Sequence, residues 1–293
     1  MQPASSRYMQ VDVFTARAGG GNPLGVVLDG TGWSDAAMQA FATWTDLVET
    51  TFVLPPDGDD ADYRLRIFTP SREIPFAGHP SVGSAHALLA AGLVAPRDGA
   101  LRQACGAGIL PVRVEDTAQG RRIFVQAPAA RVLERGDAAA RLRPLLGDLA
   151  LGALPPALVE GGRRWWLVEL ADEAALRAWR PEHAAIAALA HDTDSLGLCA
   201  FARSADPGFE LALRAFPAGA GIVEDPASGA ANGLVAAYIV DAEPDGPLAR
   251  GYRVSQGREI GRDAHLVLRV EDGRVWVGGE TQTVIDGSVR WPR

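Results

Sequence analysis

The chain has 293 residues, of which 47% are hydrophobic and 22% are charged, the composition of an ordinary globular protein. Its formal charge of −8 argues against a basic surface for nucleic acid, so we expect no nucleic-acid partner. All 28 basic residues are arginine, which excludes a lysine Schiff base, covalently attached pyridoxal phosphate and the lysine of a phosphate-binding loop.

The length lies near the size at which one hydrophobic core divides, which predicts two domains of about 145 residues each. No apolar run approaches the ~20 residues that span a bilayer, and the polar N-terminus lacks the apolar core of a signal peptide. We therefore expect a cytoplasmic protein without a membrane partner. Cys105 and Cys199 lack metal-ligand spacing and are interpreted as reduced, packed side chains.

The first 60 residues predict two strands, a helix and a third strand. Strands over residues 11–14 and 26–28 are joined by a glycine-rich hairpin, and Ser34 is placed to cap the helix. Residues 49–54 are rich in β-branched side chains and predict a strand that opens with the carboxylate of Glu49. On its own, a glutamate at a strand start is more often exposed than catalytic.

A strand, a glycine turn and a helix follow. Residues 63–68 alternate with a period of two, and Pro70 stops this strand. Beyond Gly78 the apolar residues recur at helical spacing, and Pro80 suits a first helical turn. The amides of Gly78 and His79 would then be unpaired at the positive end of the helix dipole, which predicts an anion-binding turn.

The same pattern returns in the second half of the chain. The repeats are 65–68 (LRIF) with 213–216 (LRAF), 75–78 (PFAG) with 226–229 (PASG), and 114–116 (VED) with 270–272 (VED). The offsets of 148, 151 and 156 residues rise slowly, as small loop insertions in a duplicated domain would make them. The sequence therefore predicts two similar halves, each with one turn of this kind.

The remaining elements are assigned to complete the two halves, with residues 128–136 crossing between them. A helix over residues 138–146 is expected to be interrupted near Pro144. Further helices are predicted over 172–179, 181–190 and 230–240, and strands over 110–115, 121–126, 165–170, 198–203, 209–216, 252–255, 265–270, 275–277 and 284–289.

Six segments together resemble the phenazine-biosynthesis PhzF-like isomerase family in order and spacing, over nearly the whole chain. They are 20–23 (GGNP), 49–53 (ETTFV), 66–70 (RIFTP), 75–80 (PFAGHP), 224–229 (EDPASG) and 255–262 (SQGREIGR). The resemblance implies an α+β fold of two duplicated domains, each a curved, mostly antiparallel sheet wrapped around a central helix, as in diaminopimelate epimerase. It places the active site in the cleft between them. We predict an N-terminal domain over 1–128, completed by a last strand in 283–293, and a C-terminal domain over 129–282.

The resemblance also implies the catalytic residues. Glu49 would be the acid/base that removes a proton from one carbon and delivers one to another. His79 and Asp225 would assist proton handling and orient the substrate. Members of the family are usually homodimers, so a homodimer is expected. They use neither a metal nor an organic cofactor, so no cofactor or metal is expected here.

The carboxylate of the substrate would be held by the amides of Gly78 and His79 and by the second turn at Ser228, Gly229 and Ala230. Ala230 stands where the phenazine enzyme usually has a serine, so the identity of the acid stays open. Asn232, also unusual at its place, is a candidate to supply a compensating amide.

The expected activity is therefore a cofactor-free isomerisation of a small, cyclic carboxylate by single-base proton transfer through Glu49. Three alternatives stay open. The first is a hydrolase that uses Ser81 or Cys105, and the second is a non-catalytic dimeric carboxylate-binding protein. The third is an epimerase or racemase of related fold, although Ala77 and Ser228 replace the two opposed cysteines of the epimerase relatives.

Overall fold

The structure is a computed structural model that describes residues 5–118, 120–136 and 138–292. The ends of the predicted N-terminal domain, residues 1–4 and 293, thus lie outside the described residues. The helices are α1 (Asp35–Thr45), α2 (Gly78–Ala90), α3 (Ala138–Leu146), α4 (Glu173–Ala178), α5 (His183–Asp192) and α6 (Gly229–Ala242). The strands are β1 (Ser5–Val13), β2 (Asn22–Val27), β3 (Glu49–Leu54), β4 (Tyr63–Phe68), β5 (Glu73–Ile74), β6 (Ala100–Cys105), β7 (Gly108–Thr117), β8 (Gly120–Gln126), β9 (Arg131–Arg135), β10 (Ala157–Gly161), β11 (Arg163–Glu169), β12 (Gly197–Arg203), β13 (Leu211–Phe216), β14 (Gly251–Gln256), β15 (Ala264–Glu271), β16 (Arg274–Gly279) and β17 (Thr281–Arg290).

The chain divides into two compact units. The first unit comprises Met1–Gln126 and Gly278–Arg293, and the second comprises Ala127–Val277. Each unit packs strands around one largely buried helix, α2 in the first and α6 in the second. The predicted α+β class is confirmed.

In the first unit, α2 lies against strands on several sides, among them β1, β2, β3, β4, β7, β8 and β17. The strands pair mostly antiparallel, β1 with β2 and β17, β3 with β4, and β6 with β7 and β7 with β8, while β2–β3 and β4–β6 are parallel. Most residues of α2 are buried, because small and apolar side chains surround the helix almost completely. The helix therefore forms the core of the unit.

Gly83 lets α2 approach β1 and β2 closely. A Cβ atom at this position would lie 2.6 Å from Cδ2 of Leu24 and 2.8 Å from Cγ2 of Val13. We expect Gly83→Val to lower the free energy of unfolding by about 1–3 kcal/mol, because the extra methyl groups overpack the core. Urea denaturation would measure the change, with Gly287→Val as the control, since a Cβ there meets open space. Equal stabilities of the two variants would contradict this packing.

In the second unit, α6 packs against β9, β10, β11 and β15. The strands pair antiparallel in β9–β10, β10–β11, β12–β13 and β14–β15, and parallel in β11–β12 and β13–β14. A second apolar cluster lies between the strands and α3, α4 and α5, and it includes Leu142, Trp166, Leu176 and Ile186.

Several sequence-based expectations differ from the structure, since helix α3 is unbroken and strands β5, β6, β9 and β10 were not predicted, β9 lying in the segment expected to cross between the halves. Helix α3 continues through Pro144, and the N–H of Gly147 still donates to Arg143 O at 2.9 Å. The burial of Leu142 and Leu146 holds this last turn in the core and outweighs the proline. Strand β6 was not predicted, because its inward positions include a buried glutamine, Gln103, which breaks the apolar alternation.

None of the helices in the described parts of the chain combines the length and apolar character that crossing a bilayer requires.

Candidate active site

In the first unit, Glu49 and His79 come together. Glu49 is the first residue of β3, and His79 is the second residue of α2. Oε2 of Glu49 lies 3.4 Å from Nε2 of His79, and the two side chains are 12% and 6% exposed. The carboxyl group is thus largely shielded from water but reachable, and it contacts an imidazole.

A buried pair of hydroxyl groups fixes the position of β3 relative to α2. Thr51 lies on the same face of β3 as Glu49, two residues further on. Its Oγ1 is 2.8 Å from Oγ of Ser84, which lies on α2, and 3.3 Å from the carbonyl oxygen of Gly25. Because these bonds tie β3 to α2 and to β2, the start of the strand is held beside the start of the helix.

His79 is uncharged at neutral pH. Burial of the imidazole lowers its pKa to about 3, because a charged ring would lose its hydration. The contact with Glu49 is therefore not an ion pair at neutral pH.

The lowered pKa of His79 predicts a pH dependence of stability. The unfolded chain, with an ordinary histidine pKa near 6.5, binds this proton more readily than the folded chain, so stability falls as the pH drops from about 6.5 towards 3. Between pH 7.5 and 4.5, His79→Gln is expected to lose about 2 kcal/mol less free energy of unfolding than the wild type.

Urea denaturation at both pH values would measure this difference. Burial and the nearby Arg121 lower the pKa of His86 to about 4. His86 therefore lowers the free energy of unfolding at low pH by the same amount in the wild type and in His79→Gln, and its contribution cancels in the comparison. The control is His191→Gln, since the His191 side chain is 90% exposed. A His79 variant with the pH dependence of the wild type would contradict a neutral, buried ring.

The first glycine turn presents two backbone donors. Helix α2 starts after Ala77, which offers no side-chain cap, and the N–H of Ser81 already donates to Ala77 O at 3.3 Å. Pro80 has no N–H. Among the described residues, none accepts a hydrogen bond from the N–H of Gly78 or His79. Two donors are therefore left at the positive end of the helix.

The second unit has the corresponding turn at the start of α6. Oγ of Ser228 caps the helix by accepting from the N–H of Ala231 at 3.3 Å, and the N–H of Asn232 donates to Ser228 O. Within the described chain, the N–H groups of Gly229 and Ala230 have no acceptor. This turn also leaves two donors, and the side chain of Ala230 is exposed beside them.

Asp225 lies at the entrance to this second turn. Its N–H donates to Ala215 O at 2.9 Å, and its Oδ1 accepts from the N–H of Ala227 at 3.1 Å. The carboxylate is half-buried and is directed along its own turn. In the described chain, no three His, Cys, Asp or Glu side chains are grouped to hold a metal ion.

The two units differ in the residues that can transfer a proton. Strand pairing repeats with an offset of 148 residues, since Thr50 pairs with Phe68 and Leu198 with Phe216. Glu49 therefore corresponds to Gly197, where a Cβ would collide with the carbonyl oxygen of Phe216. Helices α2 and α6 begin 151 residues apart, so His79 corresponds to Ala230. The Glu49–His79 pair of the first unit has side chains that can carry a proton, whereas the equivalent Gly197–Ala230 pair of the second unit has none.

The structure weakens the hydrolase alternative. Ser81 is fully buried, and its hydroxyl donates to Ala77 O and accepts from Nε2 of Gln103, both at 2.9 Å. The Cys105 thiol donates to Gly108 O at 3.6 Å. The suggestion that the amide of Asn232 binds a ligand is wrong, because its Nδ2 donates to Ser228 O and to Oε1 of Gln256.

The residues that support these turns were not predicted from the sequence. Thr51 and Ser84 align β3 with α2, and Gln256 bonds to the second turn. Arg214 binds Glu224 in the buried interior. The repeated arginine of the LRIF and LRAF segments was an available signal, since equivalent arginines facing equivalent glutamates indicate a shared structural task.

Comparison with known proteins gives a consistent result. The family described as phenazine biosynthesis-like protein (PhzC-PhzF) matches residues 11–287. A relative from Pseudomonas aeruginosa, named trans-2,3-dihydro-3-hydroxyanthranilate isomerase, is 33% identical over 267 residues, which are 90% of each chain.

Solved structures agree with the fold. A phenazine biosynthesis protein of the PhzF family from Bacillus anthracis superposes with a TM-score of 0.85 and 25% identity, covering 98% of this chain and 99% of that one. A probable proline racemase from Agrobacterium radiobacter superposes with a TM-score of 0.64 over 97% of this chain and 92% of the other. At 13% identity, that second likeness concerns the fold alone. The predicted family resemblance and epimerase-like fold are confirmed.

Proposed function

Because the chain belongs to the phenazine biosynthesis-like (PhzC-PhzF) family of isomerases, we propose that it moves a proton between two carbons of a small, cyclic carboxylic acid. Glu49 is the single acid/base, and neither a metal nor an organic cofactor takes part. The observation that carries this proposal is the contact between Glu49 and the uncharged His79 beside two available N–H groups.

The ionised Glu49 carboxylate accepts a proton from an activated carbon of the substrate, and the protonated carboxyl group returns a proton to another carbon. His79 is assigned a supporting role, in which its neutral ring, 3.4 Å from the carboxyl group, orients Glu49 and limits its contact with water. The absence of a second base in the equivalent pair of the second unit favours one group acting twice.

The glycine turns supply the binding groups in this proposal. Two N–H groups, of Gly78 and His79, match the two oxygens of a carboxylate, and they stabilise negative charge that develops next to it during proton removal. Ser228, Gly229 and Ala230 are assigned the same binding task at the second turn. Asp225 is assigned the orientation of the substrate.

The substrate class follows from the family and from one departure. The relative from Pseudomonas aeruginosa is named for trans-2,3-dihydro-3-hydroxyanthranilate, a cyclic amino acid with a hydroxyl group. Ala230 offers no side-chain donor at an exposed position of the second turn. We therefore assign an unsaturated cyclic amino or hydroxy acid whose carboxylate is bound by backbone groups.

The test is solvent exchange. The protein is incubated in heavy water with a panel of cyclic amino and hydroxy acids that includes trans-2,3-dihydro-3-hydroxyanthranilate, and deuterium incorporation is followed by mass spectrometry and NMR. We expect deuterium at one carbon of at least one acid, at a rate that EDTA does not reduce. Thermal stabilisation by these acids without any exchange would contradict the proposal and favour a carboxylate-binding protein.

The family resemblance also supports a homodimer acting in the cytoplasm, which we include in the proposal. Size-exclusion chromatography with light scattering would measure the mass of the particle in solution. A mass of one chain at micromolar concentration would contradict the dimer and leave the proton-transfer proposal intact.

A further inference from the structure

The side chain of Gln256 is fully buried against the second glycine turn. It is the last residue of β14, and its Nε2 donates to Asp225 O at 2.8 Å. Its Oε1 accepts from the N–H of Ser228 at 3.2 Å and from Nδ2 of Asn232 at 2.9 Å. One side chain thus bonds to both ends of the segment from Asp225 to Ser228 and to the helix that follows.

Asn232 fixes the direction of the next peptide group. Its Nδ2 donates to Ser228 O at 2.8 Å, and its backbone N–H donates to the same oxygen at 3.1 Å. Because a trans peptide is planar, its carbonyl and N–H point in opposite directions. With the carbonyl of Ser228 turned into α6, the N–H of Gly229 points out of the helix start.

The opposite end of the segment is also anchored. Arg214, 4% exposed, binds the carboxylate of Glu224 through Nε and Nη2 at 2.9 and 2.8 Å. Glu224 directly precedes Asp225, whose Oδ1 accepts from the N–H of Ala227. Buried bonds therefore hold the backbone immediately before and after the Asp225 carboxylate.

The first unit lacks this glutamine. The offset of 151 residues that relates α2 to α6 places Cys105 at the position of Gln256 and Ser81 at that of Asn232. The backbone supports the alignment, because a Cβ at Gly106 would lie 2.8 Å from Cα of Pro75, and one at Gly257 would lie 2.6 Å from the carbonyl oxygen of Pro226. Ser81 repeats the bond to the residue before the turn glycine, and it accepts from a different glutamine, Gln103, which lies two residues before Cys105.

We infer that Gln256 and Asn232 are positioning residues for substrate binding, which hold the second turn so that the N–H groups of Gly229 and Ala230 face the substrate carboxylate. The inference rests on the proposed function and deepens it. The second turn is held by these hydrogen bonds and carries no equivalent of the Glu49–His79 pair, so its contribution is affinity and orientation. The first turn carries the proton-transfer pair.

Two variants and one control test this assignment. Gln256→Met keeps the length of the side chain and removes its hydrogen bonds, whereas Asn232→Ser reproduces the first unit and removes the bond to Gln256. Gln282→Met, on β17 of the other unit, is the matched control. Amide hydrogen exchange is measured by NMR at Ala227 and Ala231, whose N–H groups bond to Asp225 and Ser228 and not to Gln256. Binding of anthranilate, used as a planar probe acid, is measured by calorimetry.

We expect both amides to exchange about tenfold faster in Gln256→Met and about threefold faster in Asn232→Ser, while protection in the first unit and in Gln282→Met is that of the wild type. The dissociation constant for anthranilate is expected to rise about tenfold in Gln256→Met, and the KM for any acid that exchanges in heavy water rises with it while kcat stays within about threefold.

If the amide hydrogen-exchange rates of Ala227 and Ala231 stayed within twofold of the wild-type rates in both variants, the inference would be overturned. A lower melting temperature with unchanged exchange and unchanged anthranilate affinity would also overturn it, because Gln256 would then only fill space. Failure of the proposed function is a separate result. It would be an absence of solvent exchange in the acid panel, whereas the amide measurements decide on the two positioning residues without any turnover.

Discussion

Glu49→Gln is expected to lower the rate of deuterium exchange into the substrate by about 10²–10⁴-fold, the contribution typical of a positioned acid/base. The amide has the shape of the carboxyl group but cannot accept a proton from carbon. Because Glu49 contacts the neutral ring of His79 and not a buried cation, the substitution leaves no uncompensated charge at this contact. The fold and the affinity for anthranilate are expected to survive, so the loss falls on kcat.

The exchange rate would be measured in heavy water with the acid that the wild type turns over. Glu271→Gln, an exposed glutamate at the end of β15, is the matched control and should retain the wild-type rate. Glu49→Asp provides a graded test, since the shorter side chain withdraws the carboxyl group from the substrate and should retain a small part of the activity. Wild-type exchange in Glu49→Gln would remove this residue from the mechanism.

Glu224→Gln is expected to lower the free energy of unfolding by about 3 kcal/mol. Arg214 and Glu224 are each 4% exposed, and Arg214 Nη1 also donates to Leu176 O and Trp179 O. Removing one member of a buried ion pair leaves the other charge without its main partner, which typically costs about 3–5 kcal/mol. We expect the lower end, because Oε2 of Glu259 lies 3.9 Å from Nε of Arg214 and compensates in part.

The duplicated fold supplies the control for this prediction. Arg66 and Glu73 are the first-unit equivalents of Arg214 and Glu224 and form the same two-pronged pair at 2.8 and 2.7 Å. Their side chains are 24% and 42% exposed, so water already solvates both charges. Glu73→Gln is expected to cost less than about 1 kcal/mol. Urea denaturation followed by circular dichroism compares the two, and equal losses would contradict burial as the cause.

The local features of the site could be predicted from the sequence. The strand that begins at Glu49, the helix that begins at Gly78 and the repeat of this turn at Gly229 all follow from short segments. Alternation, proline and glycine act within a few residues, so the chain itself carries these signals. The family resemblance then singled out Glu49 among other glutamates.

The supporting contacts could not be predicted in this way. Thr51 meets Ser84 across 33 positions, and Gln256 meets Asp225 across 31. Serine, threonine and glutamine are usually exposed, and nothing in the adjacent sequence indicates that these side chains are buried and hydrogen-bonded. Burial also decided that His79 is neutral, since the pKa of a histidine depends on its surroundings and not on its place in the sequence.

The sequence by itself determined most of the strands and helices, the duplication and the two glycine turns, because these depend on the periodicity and backbone preferences of adjacent residues. Only the tertiary structure decided that Glu49 touches His79, that its equivalent in the second unit is a glycine, and that Gln256 and Asn232 hold the second turn. The physical reason is that desolvation and hydrogen-bond direction depend on groups brought together by packing, over distances along the chain that local preferences do not reach.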